Sequence, residues 1–312
     1  MLNGPRFRVM LRSGCRAEVE EGCLWESGHA QGFSWPAAAL ALVSVFLGAS
    51  RVTADPAAGG PAAGAGPAGV SAPAPRMGDR SDSPLDADAG YTHDFLSGRN
   101  ADWNGFYAGV NDALQGDRDV YGRYDYASRF GKSDHTLTVG TDQPISGRWY
   151  GLSEVGLSPT HGVSPTYSVL EQVGRAIGGG FQVQAAVGHS GYSSADTNLQ
   201  YGTLEYAWGA YRAAYTLFAN EASGESGAVF SHSAQVTRSY ARRSAVGFRI
   251  TAGGQNESIG LRTIPRANVL DLSLVGHHWF QPAWAFTYEM GYHGFGSVYN
   301  RRRIGVGVRH QM

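Results

Sequence analysis

From residue 89 onward, apolar and polar residues alternate in segments of about ten, separated by turns rich in Gly, Asn, Asp and Ser. A period of two places successive side chains on opposite faces of a β-strand. Between Phe181 and Ser190, Phe181, Val183, Ala185 and Val187 share one face, and Gln182, Gln184, Ala186, Gly188 and Ser190 share the other. Leu270, Leu272 and Leu274 oppose Asp271 and Ser273. Trp284, Phe286, Tyr288 and Met290 oppose Ala285, Thr287 and Glu289, and Ile304, Val306 and Val308 oppose Arg303, Gly305, Gly307 and Arg309. The pattern predicts about fourteen strands, with twelve as the alternative because 149–177 alternates least clearly. Tight connections are expected at Ile177–Gly180, Trp208–Ala210, Ala241–Arg243 and Gln281–Ala283. Long ones are expected at Gly191–Asn198, Asn220–Gly227, Gly253–Asn268 and Tyr292–Asn300.

Alternation of this kind fits both a soluble sandwich, whose apolar face packs a second sheet, and a membrane barrel, whose apolar face meets lipid. Three features favour the barrel. Short and long connections alternate, as in barrels with turns on one side and loops on the other. Aromatic residues recur near predicted strand ends, among them Trp103, Tyr121, Trp149, Tyr150, Trp208, Tyr211, Trp284 and Tyr299, where an interfacial girdle would sit. Composition agrees: 44 Gly, 16 Tyr and only 16% charged residues in 312, with Lys132 the single lysine. Average soluble domains carry about 25% charged residues and about 7% Gly. The expected fold class is therefore all-β, a transmembrane antiparallel up-and-down β-barrel with an even strand count. A formal net charge of −1 argues against a nucleic-acid binder.

The chain divides into three parts. Residues 1–54 read as a targeting segment. The apolar run Trp35–Gly48 has the length of a signal h-region, and Val52-Thr53-Ala54 resembles a small-residue cleavage site. Arg6, Arg8, Arg12 and Arg16 lie well upstream of that run, with Glu18, Glu20, Glu21 and Glu26 between, which suggests a start placed too early. Residues 55–88 read as a disordered Ala/Gly/Pro-rich linker, unable to bury enough apolar surface to offset ordering. Residues 89–312 form the barrel. Both cysteines, Cys15 and Cys23, fall in the first part, so no disulfide or thiolate metal site is expected in the barrel.

The polar faces carry the candidate chemistry. Arg123, Asp125, Arg129, Glu205, Arg212, Arg249, Asp271, Glu289, Arg303 and Arg309 are expected to line the lumen, as a pore wall or as salt bridges that fill it. A lipid-acting serine enzyme would need a Ser–His pair. Gly188-His189-Ser190 and Ser231-His232-Ser233 do not supply one locally, because neighbouring strand residues point to opposite faces. His277-His278 and His293 diverge for the same reason and read as interfacial histidines, not a metal site. No catalytic residue, metal or cofactor is expected. In Arg301-Arg302-Arg303, Arg301 and Arg303 turn inward and Arg302 outward, and Arg242-Arg243 reads as solvated.

The hairpin Tyr91-Thr92-His93-Asp94-Phe95-Leu96-Ser97-Gly98-Arg99-Asn100-Ala101-Asp102-Trp103 resembles the first hairpin of YaiO-type outer-membrane β-barrel proteins. The Arg129-Phe130-Gly131-Lys132-Ser133-Asp134 turn and Leu157-Ser158-Pro159 add to the resemblance, which extends over roughly 89–312. It implies a signal-bearing barrel in a Gram-negative outer membrane, in contact with outer-membrane lipid and lipopolysaccharide and inserted by the barrel-insertion machinery. It carries over no catalytic residues. Such barrels commonly end in Phe, which that machinery favours, whereas this chain ends His310-Gln311-Met312. The function expected is a channel for export or passage of polar solutes or a saccharide polymer. The alternatives are a filled structural barrel and, less favoured, a lipid-acting enzyme.

Overall fold

The protein is described by a computed structural model covering residues 85–97, 102–114, 118–193, 195–241, 243–257 and 266–312. The targeting segment, both cysteines and the linker up to residue 84 lie outside the described residues, as does Arg242. Fourteen strands follow one another: β1 (Leu85–Leu96), β2 (Trp103–Leu114), β3 (Arg118–Arg129), β4 (Lys132–Ser146), β5 (Trp149–Leu157), β6 (Tyr167–Gly178), β7 (Phe181–Gly191), β8 (Asp196–Trp208), β9 (Tyr211–Ala222), β10 (Val229–Tyr240), β11 (Ser244–Asn256), β12 (Arg266–Gln281), β13 (Trp284–Phe295) and β14 (Tyr299–Gln311). Each pairs antiparallel with its sequence neighbours, and β1 pairs with β14 from Asp86↔Gln311 to Leu96↔Arg301, which closes the sheet.

Closure decides what the alternation means. A single closed sheet has no second sheet to cover its apolar face. Leu137, Val187, Phe230, Phe248 and Ile304 accordingly point outward and are exposed. Large apolar side chains ringing a barrel in this way suit lipid, not water. Closure also leaves no strand edge with unpaired backbone groups, the condition for crossing a bilayer as β-structure.

The two ends differ. At the turn end, which also holds Leu85 and Met312, the connections are 115–117, 147–148, 179–180, 209–210, 241–243 and 282–283. At the loop end they include 158–166, 192–195, 223–228 and 257–265. The turns expected to be tight all fall at the turn end. Two corrections concern boundaries. The barrel begins at Leu85, not 89: Asp86 and Asp88 alternate with Ala87 and Ala89, and pair on both sides, but small and acidic residues hide the period. The long connection expected over Tyr292–Asn300 shrinks to 296–298, because pairing continues to Phe295↔Tyr299. The reversal needs only Gly296, at φ 52°.

Candidate functional site: a polar lumen latched at one end

All ten charged residues expected on the polar faces occupy inward positions of their strands. Seven of them pair along the wall with near neighbours. Arg123 holds Asp125 two residues away on β3, at 2.8–2.9 Å, and its Cζ lies 4.5 Å over the Tyr107 ring. Arg212 on β9 faces Glu205 on β8 at 3.4 Å. Arg303 on β14 grips Asp94 on β1 with two bonds of 2.7 and 2.9 Å, and reaches Glu289 on β13 at 3.8 Å. Asp271 meets His293 at 3.3 Å, and Arg129 reaches Ser164 at 3.3 Å. Arg249 and Arg309 lie on the inward face without an ion pair among the described residues.

Three inward tyrosines, Tyr107, Tyr121 and Tyr150, share one construction: each lies flat across a glycine of the adjacent strand and reaches a strand beyond it. Tyr121 crosses Gly140 and donates to Glu154 at 2.6 Å; Tyr150 crosses Gly174 and donates to Gln182 at 3.1 Å. Tyr107 crosses Gly90 and Gly307 to come within 3.4 Å of Thr287 Oγ1. A Cβ added at Gly140, Gly174 or Gly90 would fall within 3.0 Å of the ring. Glycine is therefore what allows these rings to hug the wall. Between β6 and β10 the inward face carries Gln172, Gln184, Thr203, Thr216, Ser231 and Ser233 beside the Glu205–Arg212 pair, and an apolar cluster of Leu170, Ala186, Leu199 and Tyr201, with Phe218 packed on it.

The loop end is built differently. Trp103, Phe295 and Tyr299 are buried inside the barrel, with Trp103 4.7 Å from Phe130 and 5.2 Å from Tyr299 between ring centroids. Arg301 lies 5.5 Å over Trp103 and 3.5 Å from Asp94. Glu257, fully buried, accepts from the Tyr299 hydroxyl and faces His293 at 3.6 Å. The 158–166 loop is tied inward by one carboxylate: Asp134 accepts the backbone N–H groups of Gly162, Val163 and Ser164, the last two at 2.7 Å. Three N–H donors on one carboxylate form a strong, directional anchor. Tyr192, on the 192–195 connection, has its phenol pushed up by burial, with Arg129 and Glu257 the charges near it.

Exposure on the inward face is uneven at every level: the side chains of Arg123, Asp125 and Arg212 keep 15–20%, whereas Glu205, Trp103 and Phe295 keep 1% or less. Trp103, Tyr121, Tyr150 and Tyr299 correct the expected girdle: they turn inward, while Trp149, Trp208, Tyr211 and Trp284 are the exposed ones. The roles of Asp94, Asp134 and Glu257 are not visible in the sequence pattern. Asp134 stands inside the Arg129–Asp134 turn, but what it binds is a loop more than twenty residues away, and no local pattern reports that.

The histidines serve as wall and rim groups. His189 and His232 point outward, His232 to Tyr215 at 2.6 Å and His189 to Asn198 and Tyr167 at 2.8 and 3.2 Å; neither of these bonds involves a serine. His277 turns inward to the Arg243 carbonyl at 2.6 Å, while His278 stacks on Tyr240. Among the described residues no His, Cys, Asp and Glu side chains form a group suited to a metal ion. Arg243 corrects an expectation. It is not simply solvated: its guanidinium bonds the Pro282 carbonyl and Gln311 and lies 4.1 Å over Trp279, linking three turn-end segments.

A closed fourteen-strand sheet with an apolar exterior and a charged, tyrosine-lined interior defines a membrane β-barrel. The YaiO membrane beta barrel domain matches residues 86–258, and the chain belongs to that family. No curated protein matches it. Among solved structures it is similar to a bacterial polysaccharide outer membrane secretin at 9% identity and TM-score 0.49, covering 75% of this chain and 100% of that one. It is similar to the KdgM porin at 9% identity and TM-score 0.42, covering 72% and 99%. It is also similar to the translocator domain of autotransporter NalP from Neisseria meningitidis at 12% identity and TM-score 0.44, covering 75% and 90%.

Proposed function

We propose that the protein is an outer-membrane channel for neutral polar solutes, saccharides included, whose loop end is held shut by the Asp134 latch. The observation that carries this reading is the direction of the inward side chains. Tyr107, Tyr121 and Tyr150 lie flat on glycines, and Arg123, Arg212 and Arg303 pair with neighbours along the wall. A barrel filled for stability alone would pair its charges across the interior. Fourteen strands also leave room for a narrow passage, since about sixteen enclose an open aqueous channel. The amides and hydroxyls between β6 and β10 suit sugar hydroxyls, and the aromatic rings suit sugar faces.

In this reading the turn end, with both chain ends of the barrel, faces the periplasm, and the 158–166 loop closes the outer mouth. The role is non-enzymatic: the two histidines considered for hydrolysis are bound to Tyr and Asn on the outer face. The buried loop-end cluster also supports a second reading, a permanently filled structural barrel. Swelling of protein-loaded liposomes in monosaccharide separates the two. The channel reading expects slow swelling for the natural protein and several-fold faster swelling for Asp134→Ala. No swelling from either, with both folded, leaves the structural barrel.

A further inference from the structure

We infer that the turn-end rim holds two docking points for anionic phospholipid headgroups, Arg175 on Trp149 and Arg238 on Tyr211. The two are built alike. Trp149 and Tyr211 are the first residues of β5 and β9. Each is register-paired with the arginine on the next strand, Trp149 with Arg175 and Tyr211 with Arg238. The guanidinium carbons sit 5.1 and 5.8 Å from the ring centroids. All four side chains are exposed on the outward face, where the lipid headgroups of a membrane barrel must lie.

A ring beneath a guanidinium occupies its face and fixes its orientation, while the N–H edge stays free. Arg175 and Arg238 make no ion pair among the described residues. An arginine in this state, at a strand end beside headgroups, matches the paired oxygens of a phosphate.

The surrounding rim sharpens the assignment. Two further turn-end arginines spend their N–H groups on protein: Arg148 on the Ile177 carbonyl at 3.0 Å, Arg243 on the Pro282 carbonyl at 3.1 Å. The same frame recurs at β7, where Phe181 is paired with Tyr206 and the rings stack at 4.4 Å, with no cation. At β13, Trp284 is paired with His310 at 4.1 Å, but the imidazole is turned to the Ala283 carbonyl. Opposite, at the loop end, outward His135 and His232 bond tyrosine hydroxyls at 2.6 Å. The frame thus repeats around the turn end, and two of its positions carry an uncommitted guanidinium.

The test compares urea unfolding of the full chain in phosphatidylcholine vesicles with and without phosphatidylglycerol. Phosphatidylglycerol is expected to raise the midpoint for the natural protein. Arg175→Gln/Arg238→Gln should lose most of that rise while keeping its phosphatidylcholine midpoint. Arg302→Gln, outward at the loop end, should keep the rise. No rise in the natural protein, an equal rise in the double variant, or an equal loss in Arg302→Gln overturns the assignment. So does an equal rise from inorganic phosphate added to phosphatidylcholine vesicles, which would indicate a site for the free ion. A second measurement needs no variant. Trp149, Trp208 and Trp284 are exposed at the turn end. Chain-brominated phosphatidylglycerol should therefore quench tryptophan fluorescence more than equally brominated phosphatidylcholine; equal quenching also overturns it.

Discussion

Replacing Gly140 by alanine tests whether glycine and tyrosine form one structural unit in the wall. The added methyl would lie within 3.0 Å of Tyr121 Cζ, Oη and Cε1, and the whole ring, not a flexible end, must give way. Overpacking of this kind costs about 1–3 kcal/mol. Once the ring swings off the wall, the 2.6 Å bond from Tyr121 to Glu154 is lost. A bond to a charged group contributes about 1.5–3 kcal/mol. The two costs overlap, since one movement causes both, so a loss of about 2–4 kcal/mol is expected. Tyr121→Phe removes the bond alone and should cost about 1.5–3 kcal/mol. The assay is urea unfolding in vesicles, followed by the gel band whose mobility changes on boiling. In Gly140→Ala/Tyr121→Ala the clash has no ring to meet, so the two losses should fall short of additive by at least about 1 kcal/mol. Full additivity would refute the reasoning.

Other predictions follow from the same contacts. Arg303→Ala leaves Asp94, 4% exposed, without its two-bonded partner and should cost about 3–5 kcal/mol in the same unfolding assay. Gly253 adopts φ 129°, with Phe230 O and Ser231 Cα crowding the place of a side chain, so Gly253→Ala should cost about 1–3 kcal/mol. A closed barrel should also migrate faster on gels before boiling than after; one unchanged mobility would contradict closure.

The alternation carries most of the fold, because in a single closed sheet each residue's face follows from parity. Parity alone puts Arg301 and Arg303 inward and Arg302 outward, and the folded barrel buries the first two and exposes the third. It fails where side chains are too small or too acidic to show a period, as at Asp86–Ala89, and where pairing runs on into a glycine-rich stretch, as at Tyr292–Phe295. Parity also says which way a residue points but not what it meets. Asp94 and Arg303 are 209 positions apart, joined only because the last strand closes on the first. Asp134 is satisfied by backbone N–H groups of a later loop, which no side-chain pattern encodes. Tyrosine and glycine are visible as composition; that Tyr107, Tyr121 and Tyr150 each need a particular glycine is a matter of register.

The proposed channel requires a lumen that water enters from the turn end and that the Asp134 contacts close at the loop end. A cysteine at Gln235, inward at the middle of β10, reports on it directly, with Cys15 and Cys23 changed to serine. A membrane-impermeant thiol reagent is applied from one side of the vesicle at a time. Labelling is expected from the turn-end side only in the otherwise natural protein, and from both sides once Asp134→Ala is added. Labelling from neither side would mean a filled barrel, and labelling from both sides before the latch is removed would mean that nothing is closed.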